Sequence, residues 1–261
     1  MRAAEDLALL ADAAREAGAV AMRYWRRHPR AWNKSDGTGP VTEADLAVNA
    51  MLAQRLRNAR PGYGWLSEET ADTPDRLERA LCFIVDPIDG TRAFIEGQDT
   101  FAIALGIAEA GRMRAGVVYL PALKRLYAAH SQGRATLNDQ PLTASPATEP
   151  DGARVLTTAP NMAAQHWPGG VPDLRRSFRP SLAYRICLVA EGRHDAMVTF
   201  RDAWEWDIAA ASLIAERAGA IVTDARGGPL QFNAAHPQVP GVIAAAPGLH
   251  GPLLARTRAA S

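Results

Sequence analysis

Residues 83–94 read FIVDPIDGTRAF, and the organisation of the whole chain is read outward from that stretch. An apolar run delivers Asp86 at its end, Pro87 sets a turn, and Asp89 returns three residues later. Gly90 and Thr91 then open a short helix. Two carboxylates on one tight turn can aim at a single point, where like charges repel unless a cation lies between them. Hard oxygen donors of this kind suit Mg²⁺, which takes one or two carboxylates together with water and phosphate oxygens. The N–H groups that follow Gly90 are placed to cradle a phosphate at a helix start. The same letters also spell an Asp-Pro turn followed by an Asx cap, so on this stretch alone the two readings stand level.

Three other segments shift that balance. LSEET sets Glu68 beside Glu69, PVTEAD sets Asp45 just inside a helix start downstream of Lys34, and EWDIAA sets Asp207 at the start of another helix. A solvated charge pair, a capping acid and a first-turn acid that complements the helix dipole would account for each separately. They do not account for the set.

The surrounding pattern places these acids on elements. Leu7, Leu10, Ala14, Ala17, Ala21 and Trp25 recur at helical spacing, which predicts a first helix running to about Arg27. NKSDGTGP reads as a loop or hairpin. Thr42 then caps a second helix over roughly 43–57, with Leu46, Met51, Leu52 and Leu56 on its apolar side. Leu81 to Val85 suits a buried strand, and FAIALGIAE, RAGVVYL and KRLYAAH follow as an antiparallel succession, with a further turn at Asn138-Asp139. TASPATEPDG marks a boundary between an N-terminal lobe (1–142) and a C-terminal lobe (143–261). Beyond it VLTTA, AIVTD and GVIAAA read as strands, and helices end at Gly192 and Gly219. Alternating helices and strands predict a mixed or parallel sheet covered by helices, so the class is α+β in two lobes.

Composition narrows the function classes. Lys and Arg number 29 against 28 Asp and Glu, which gives no whole-chain attraction to a nucleic acid polymer or a membrane, although local patches are left open. The N-terminus carries acids within its apolar stretch and reads as an amphipathic helix, and no run nears the ~20 apolar residues of a membrane span. A soluble cytoplasmic protein is expected. Cys82 and Cys187 each sit in an apolar run and read as reduced core thiols. The six histidines show no ligand spacing.

From Lys34 and Asp45 through SEE and DPIDGT to WD, nearly the whole chain resembles the inositol monophosphatase superfamily of lithium-sensitive, metal-dependent phosphatases. The resemblance implies a layered α/β/α/β/α sandwich of the inositol monophosphatase and fructose bisphosphatase type. It implies two or three Mg²⁺ per site, one held by Glu68, Asp86 and the carbonyl of Ile88, and another by Asp86, Asp89 and Asp207. Asp45 and Thr91 would help activate the attacking water, with Glu68 also in the catalytic set. Asp89, Gly90, Thr91 and Arg185 would meet the substrate, while Lys34, Glu69 and Arg201 lie close by. Ser67 stands where many relatives have glycine. In inositol-selective relatives a glutamate lies about seven residues before the WD aspartate; here that place is Thr199 or Phe200. YGWLSEE, DPIDGTRAFIEG and SLAYRI look most similar to bacterial 3′(2′),5′-bisphosphate nucleotidases, which act on adenosine 3′,5′-bisphosphate. Tyr184 and Phe200 are the aromatics to face a base, although such residues usually pack in the core. Inositol phosphate, histidinol phosphate or a sugar phosphate is the alternative substrate. A regulatory protein that has lost catalysis is the remote one, and the intact acid set opposes it. Relatives are often homodimers, so a homodimer is expected by analogy.

Overall fold

The computed structural model describes residues 2–34 and 39–258, so part of the expected 33–40 hairpin lies outside the described residues. Its flanks, β1 (Ala31–Asn33) and β2 (Pro40–Thr42), pair antiparallel. Before them, α1 (Arg2–Ala21) ends earlier than its periodicity predicts. The reason is tertiary: the Trp25 indole N–H donates to the Gln98 carbonyl and Arg26 Nε to that of Gly97, and Arg26 turns left-handed at φ 59°. These bonds draw the chain out of the helix and onto a distant loop.

Thr42 caps α2 (Glu43–Ala59) with its hydroxyl, and the Asp45 carboxylate accepts in return from the Thr42 N–H, a reciprocal capping box. The buried stripe is Ala44, Val48, Leu52 and Leu56. Leu46, expected on that side, is 43% exposed because two residues from Ala44 is about 200° around the helix.

A seven-stranded sheet follows, built from β3 (Gly64–Ser67), β4 (Leu81–Asp89), β5 (Ala102–Glu109), β6 (Arg112–Leu120), β7 (Arg125–His130), β8 (Thr136–Leu137) and β9 (Gln140–Pro141), in that order across the sheet. Only β3 and β4 run parallel; the others form the expected antiparallel succession, and Asn138 and Asp139 turn left-handed between β8 and β9. Both faces are covered. Phe83 and Val85 pack with α1 and α2, whereas Cys82 and Ile84 pack with helices of the second half. That explains why β4 reads as an unbroken apolar run rather than an alternating one.

The second sheet combines β10 (Arg154–Leu156), β11 (Arg175–Ser177), β12 (Ala196–Thr199), β14 (Ile221–Asp224) and β16 (Val242–Ala245), ordered β11-β10-β12-β16-β14. It is mixed, with β10 parallel to β11 and β12 and the remaining pairs antiparallel. The short pair β13 (Ala203–Trp204) and β15 (Gln238–Val239) stands apart. Between the sheets lie α4 (Leu182–Ala190) and α5 (Glu205–Arg217), sharing one core with both. On the outer face α6 (Pro247–Arg256) closes a smaller core with Val155, Val198 and Ile243. The layers therefore run helices, sheet, helices, sheet, helix, as the resemblance implies. Both cysteines are buried and unpaired. No described helix is long and apolar enough to cross a membrane.

The entry to β12 carries a pH-dependent tie. Asp195 accepts from Arg154 through the backbone N–H (2.8 Å) and the guanidinium (2.8 and 3.1 Å). Burial alone would raise its pKa, but these bonds outweigh it and hold the carboxyl below its usual range. A folded pKa below the unfolded one adds stability above the ordinary carboxylate pKa, lost as pH falls through the folded value. Asp195→Asn is expected to cost about 1–2 kcal/mol near pH 7, with the difference closing below about pH 4. Urea melts of both proteins from pH 3 to 7 check this; a gap that stays constant would refute the linkage.

Candidate active site

Strand β4 places the two central carboxylates. Residues three apart on a regular strand face opposite sides. Here the register with β5 slips between Asp86 (opposite Ala104) and Asp89 (opposite Ala102), so β4 holds one extra residue. That bulge reverses the phase of the strand. Val85 and Ile88 both pack into the α1–α2 core, while Asp86 and Asp89 turn to the opposite side. Asp86 Oδ1 accepts from the Ile88 N–H at 3.0 Å, which closes the turn.

The other acids arrive on element ends. Strand β3 lies parallel to β4 with Ser67 opposite Val85, so Glu68 emerges beside Asp86. Asp207 sits in the first turn of α5, where the N-terminal dipole favours an anion. One carboxylate oxygen from each of Asp86, Asp89 and Asp207 lies within 4.8 Å of the others.

Asp89 is also a hub between the halves of the fold. Its Oδ2 accepts from Ser181 Oγ (2.6 Å) and the Ala183 N–H (2.7 Å), and its Oδ1 from the Leu182 N–H (3.2 Å). Ser181 caps α4 through the Tyr184 N–H. Sequence reading did not single out Ser181, although Pro180-Ser181 ahead of an apolar run is a helix-start signal.

Electrostatics follow from this crowding. Burial pushes the Asp86 pKa well above the usual carboxylate range, aided by the charges of Glu68, Asp89 and Asp207. Asp207 is raised likewise by desolvation, Asp89 and Glu68. Asp89 is raised by burial against the pull of its hydrogen bonds and of Arg185. Three crowded like charges, Asp86 and Asp89 buried and Asp207 half-buried, offer only oxygen donors and are a fit for a divalent cation.

Thr91 Oγ1 lies within hydrogen-bond reach of two acceptors, Asp45 Oδ1 at 3.3 Å and the Ile88 carbonyl at 3.2 Å, and its one proton can be donated to either. Asp45 is held by Thr42 through its N–H (2.8 Å) and hydroxyl (2.6 Å). Burial outweighs those bonds and pushes its pKa up to about 6. Lys34 Nζ bridges Glu68 (2.8 Å) and Glu69 (2.7 Å). Burial works against its charge, yet the two carboxylates raise its pKa. Glu69 rises to about 7, by burial first and then by its like-charged neighbours, against the pull of Lys34.

These groups surround a cavity of about 530 Å³ lined by Glu68, Asp89, Gly90, Thr91, Arg185 and Asp207, with Arg201 and Thr199 also on its wall. Asp45, Asp86 and Ile88 are buried behind it. Of the aromatics expected to face a base, Tyr184 is 4% exposed and packs near Tyr127, and Phe200 stacks on His166. Both belong to packing: Tyr184 is buried in α4, and Phe200 is half-buried against the outer core. The aromatic on the cavity wall is Phe178, beneath the Arg185 guanidinium at 5.0 Å. Nothing in its local sequence distinguishes it.

A profile of the inositol monophosphatase family matches residues 3–261. The inositol-1-monophosphatase of Rhizobium meliloti (strain 1021) is 34% identical over 198 residues, covering 72% of this chain and 73% of that protein. The histidinol-phosphatase of Chlorobaculum parvum is 32% identical over 229 residues, covering 85% and 86%. Among solved structures, the Thermotoga maritima IMPase superposes with a TM-score of 0.82 at 26% identity, covering 97% of this chain and 96% of that one. The match along the chain and the acid cluster together define a metal-dependent phosphatase. The chain belongs to the inositol monophosphatase family.

Proposed function

We propose that this enzyme is a Mg²⁺-dependent phosphomonoesterase acting on the monophosphate of a small polyhydroxylated or amino alcohol, of which inositol phosphate and histidinol phosphate are the first two to test. The observation that carries the reading is the convergence of Asp86, Asp89 and Asp207 within 4.8 Å, with Asp89 and Asp207 on the wall of a cavity sized for a metabolite and Asp86 behind them. Glu68, Asp86 and the Ile88 carbonyl would hold one ion, and Asp86, Asp89 and Asp207 another. When bound, Mg²⁺ lowers the pKa of water and neutralises charge on the phosphoryl group. The chain supplies the rest. Thr91 and Asp45 form the hydrogen-bonded pair that orients water and passes on its proton. Gly90 and Thr91 offer N–H groups that α3 (Thr91–Ile95) leaves unbonded at its start. The cavity wall orients the alcohol.

The relatives named above favour a small alcohol phosphate over the nucleotide bisphosphate expected from the sequence. A second reading rests on Arg185 and Arg201, which give the cavity wall two cations suited to a second phosphate. Phosphate release with Mg²⁺ should be measured from inositol 1-phosphate, histidinol phosphate, fructose 1,6-bisphosphate and adenosine 3′,5′-bisphosphate. Preference for either of the first two is the expected outcome. Preference for the nucleotide, lost in Arg185→Ala, would replace it with the second reading. Release from none by the folded protein would refute both. Inhibition by Li⁺ is expected in the same assay.

A further inference from the structure

The fold holds a buried polar network that the proposed chemistry does not use. Arg76, in the short helical turn Pro74–Glu78 between β3 and β4, is 2% exposed. Its guanidinium grips Asp72 twice, Nε to Oδ1 (2.6 Å) and Nη2 to Oδ2 (2.8 Å). It also donates to Asn233 Oδ1 (2.7 Å), 157 positions along the chain, and to the Ala234 carbonyl (2.9 Å). The N–H groups of that same loop are held by Glu205, which is fully buried: Oε2 accepts from Asn233 (2.6 Å) and Oε1 from Ala234 (2.9 Å). Asn233 is left-handed at φ 60°, as in turns whose successive N–H groups converge on an anion.

Each end of this chain of bonds borders a proposed metal ligand. Glu205 opens α5 two residues before Asp207, about 200° around the helix, so a grip on one sets the rotation of the other. Trp204, just ahead of α5, gives no side-chain cap, and the hold on Glu205 takes its place. The Glu205 N–H adds a bond to the Pro237 carbonyl (2.9 Å). At the other end Asp72 follows Glu68 by four residues, and the chain between them is pinned to α2. Asn49 donates to the Glu69 carbonyl (3.2 Å) and Thr70 Oγ1 (3.0 Å) and accepts from Ser67 Oγ (2.7 Å). Gly64 lets the helical turn lie against β3, since a Cβ there would stand 3.0 Å from the Arg76 Cα.

We infer, on the metal-site reading above, that Arg76 is a positioning residue: a buried brace, completed by Glu205, that fixes Asp207 on α5 relative to Glu68 on the β3–β4 connection. Stability alone is a weak reason for such a network, because buried ion pairs often gain little over apolar packing of the same volume. A cation site, by contrast, needs carboxylates from two distant segments held at one separation. Residues that orient the ligands without touching the ion set its affinity for that reason.

The test is titration of the metal-free full chain with Mn²⁺, whose free-ion EPR signal falls on binding, beside thermal melts of each variant. Arg76→Lys keeps the charge but loses the planar fork, and should weaken Mn²⁺ binding about tenfold. Asn233→Gly keeps the left-handed turn, removes one acceptor of the guanidinium and changes no charge. It should weaken binding in the same direction, by less. Arg76→Met removes a positive charge, which through the field alone would tighten cation binding; through the brace it weakens it. Arg154→Lys loosens the separate tie to Asp195 and is the control: its melting temperature should fall while its Mn²⁺ affinity stays at the parent's value. Parental affinity in both Arg76→Lys and Asn233→Gly, tighter binding by Arg76→Met, or equal loss in Arg154→Lys would each overturn the brace. Failure of the parent itself to bind Mn²⁺ would overturn the metal-site reading, and the brace with it.

Discussion

Asp207→Asn is expected to lower kcat by about a thousandfold while leaving the fold intact. In the proposed site Asp207 shares a cation with Asp86 and Asp89, whose carboxylate oxygens lie within 4.8 Å of its own. Asparagine keeps the volume and removes the charge. Desolvation, Asp89 and Glu68 already oppose ionisation of Asp207 without a cation, so the metal-free variant should melt at or above the parent's temperature. Mg²⁺ should stabilise it less than the parent, because a ligand stabilises in proportion to its affinity. Asp89→Asn should lose as much activity but also some stability, since an amide whose oxygen accepts from Ser181 and the Ala183 N–H turns its NH2 toward the Leu182 N–H, a donor against a donor. Turnover with saturating Mg²⁺ and thermal melts with and without it decide the matter. Near-normal turnover in either variant would remove that residue from the metal set.

Gly116→Ala should destabilise the protein by about 2–3 kcal/mol and reduce activity as well. Gly116 lies on β6 where α5 crosses, and an added methyl group would stand 2.8 Å from the Ala210 carbonyl oxygen and 2.9 Å from its Cα. Those atoms are backbone, so the clash cannot be relieved by turning a side chain. The helix must shift, and the same helix presents Asp207 one turn from Ala210. Urea denaturation gives the first effect; the Mg²⁺ concentration needed for half-maximal activity gives the second and should rise. An unchanged Mg²⁺ dependence with lowered stability would mean that α5 adjusts without moving its first turn.

The two effects differ in how far they are visible in the sequence. DPIDGT, SEE and WD, with the capping box at Thr42 and Asp45, name the acids and most of their elements because those signals are local. Caps, turns and apolar runs act over a few residues. The end of α1 was not legible, since Trp25 and Arg26 bond to a loop some seventy positions away. Nor was the short strand β3, whose four residues carry little periodicity and whose place is set by pairing with β4. Phe178 and Tyr184 show the same limit: which aromatic reaches the cavity depends on what covers each, not on its neighbours in the chain.

By itself, then, the sequence determined the chemistry on offer: which carboxylates, on which turns and helix starts, in a layered α+β chain. The tertiary structure alone decided that Asp86 and Asp89 point the same way, because the bulge that reverses the strand's phase exists only against β5. It decided likewise that Asp207, more than a hundred positions further on, completes the cluster. Convergence of residues distant in sequence depends on strand register and helix packing, which no local pattern encodes.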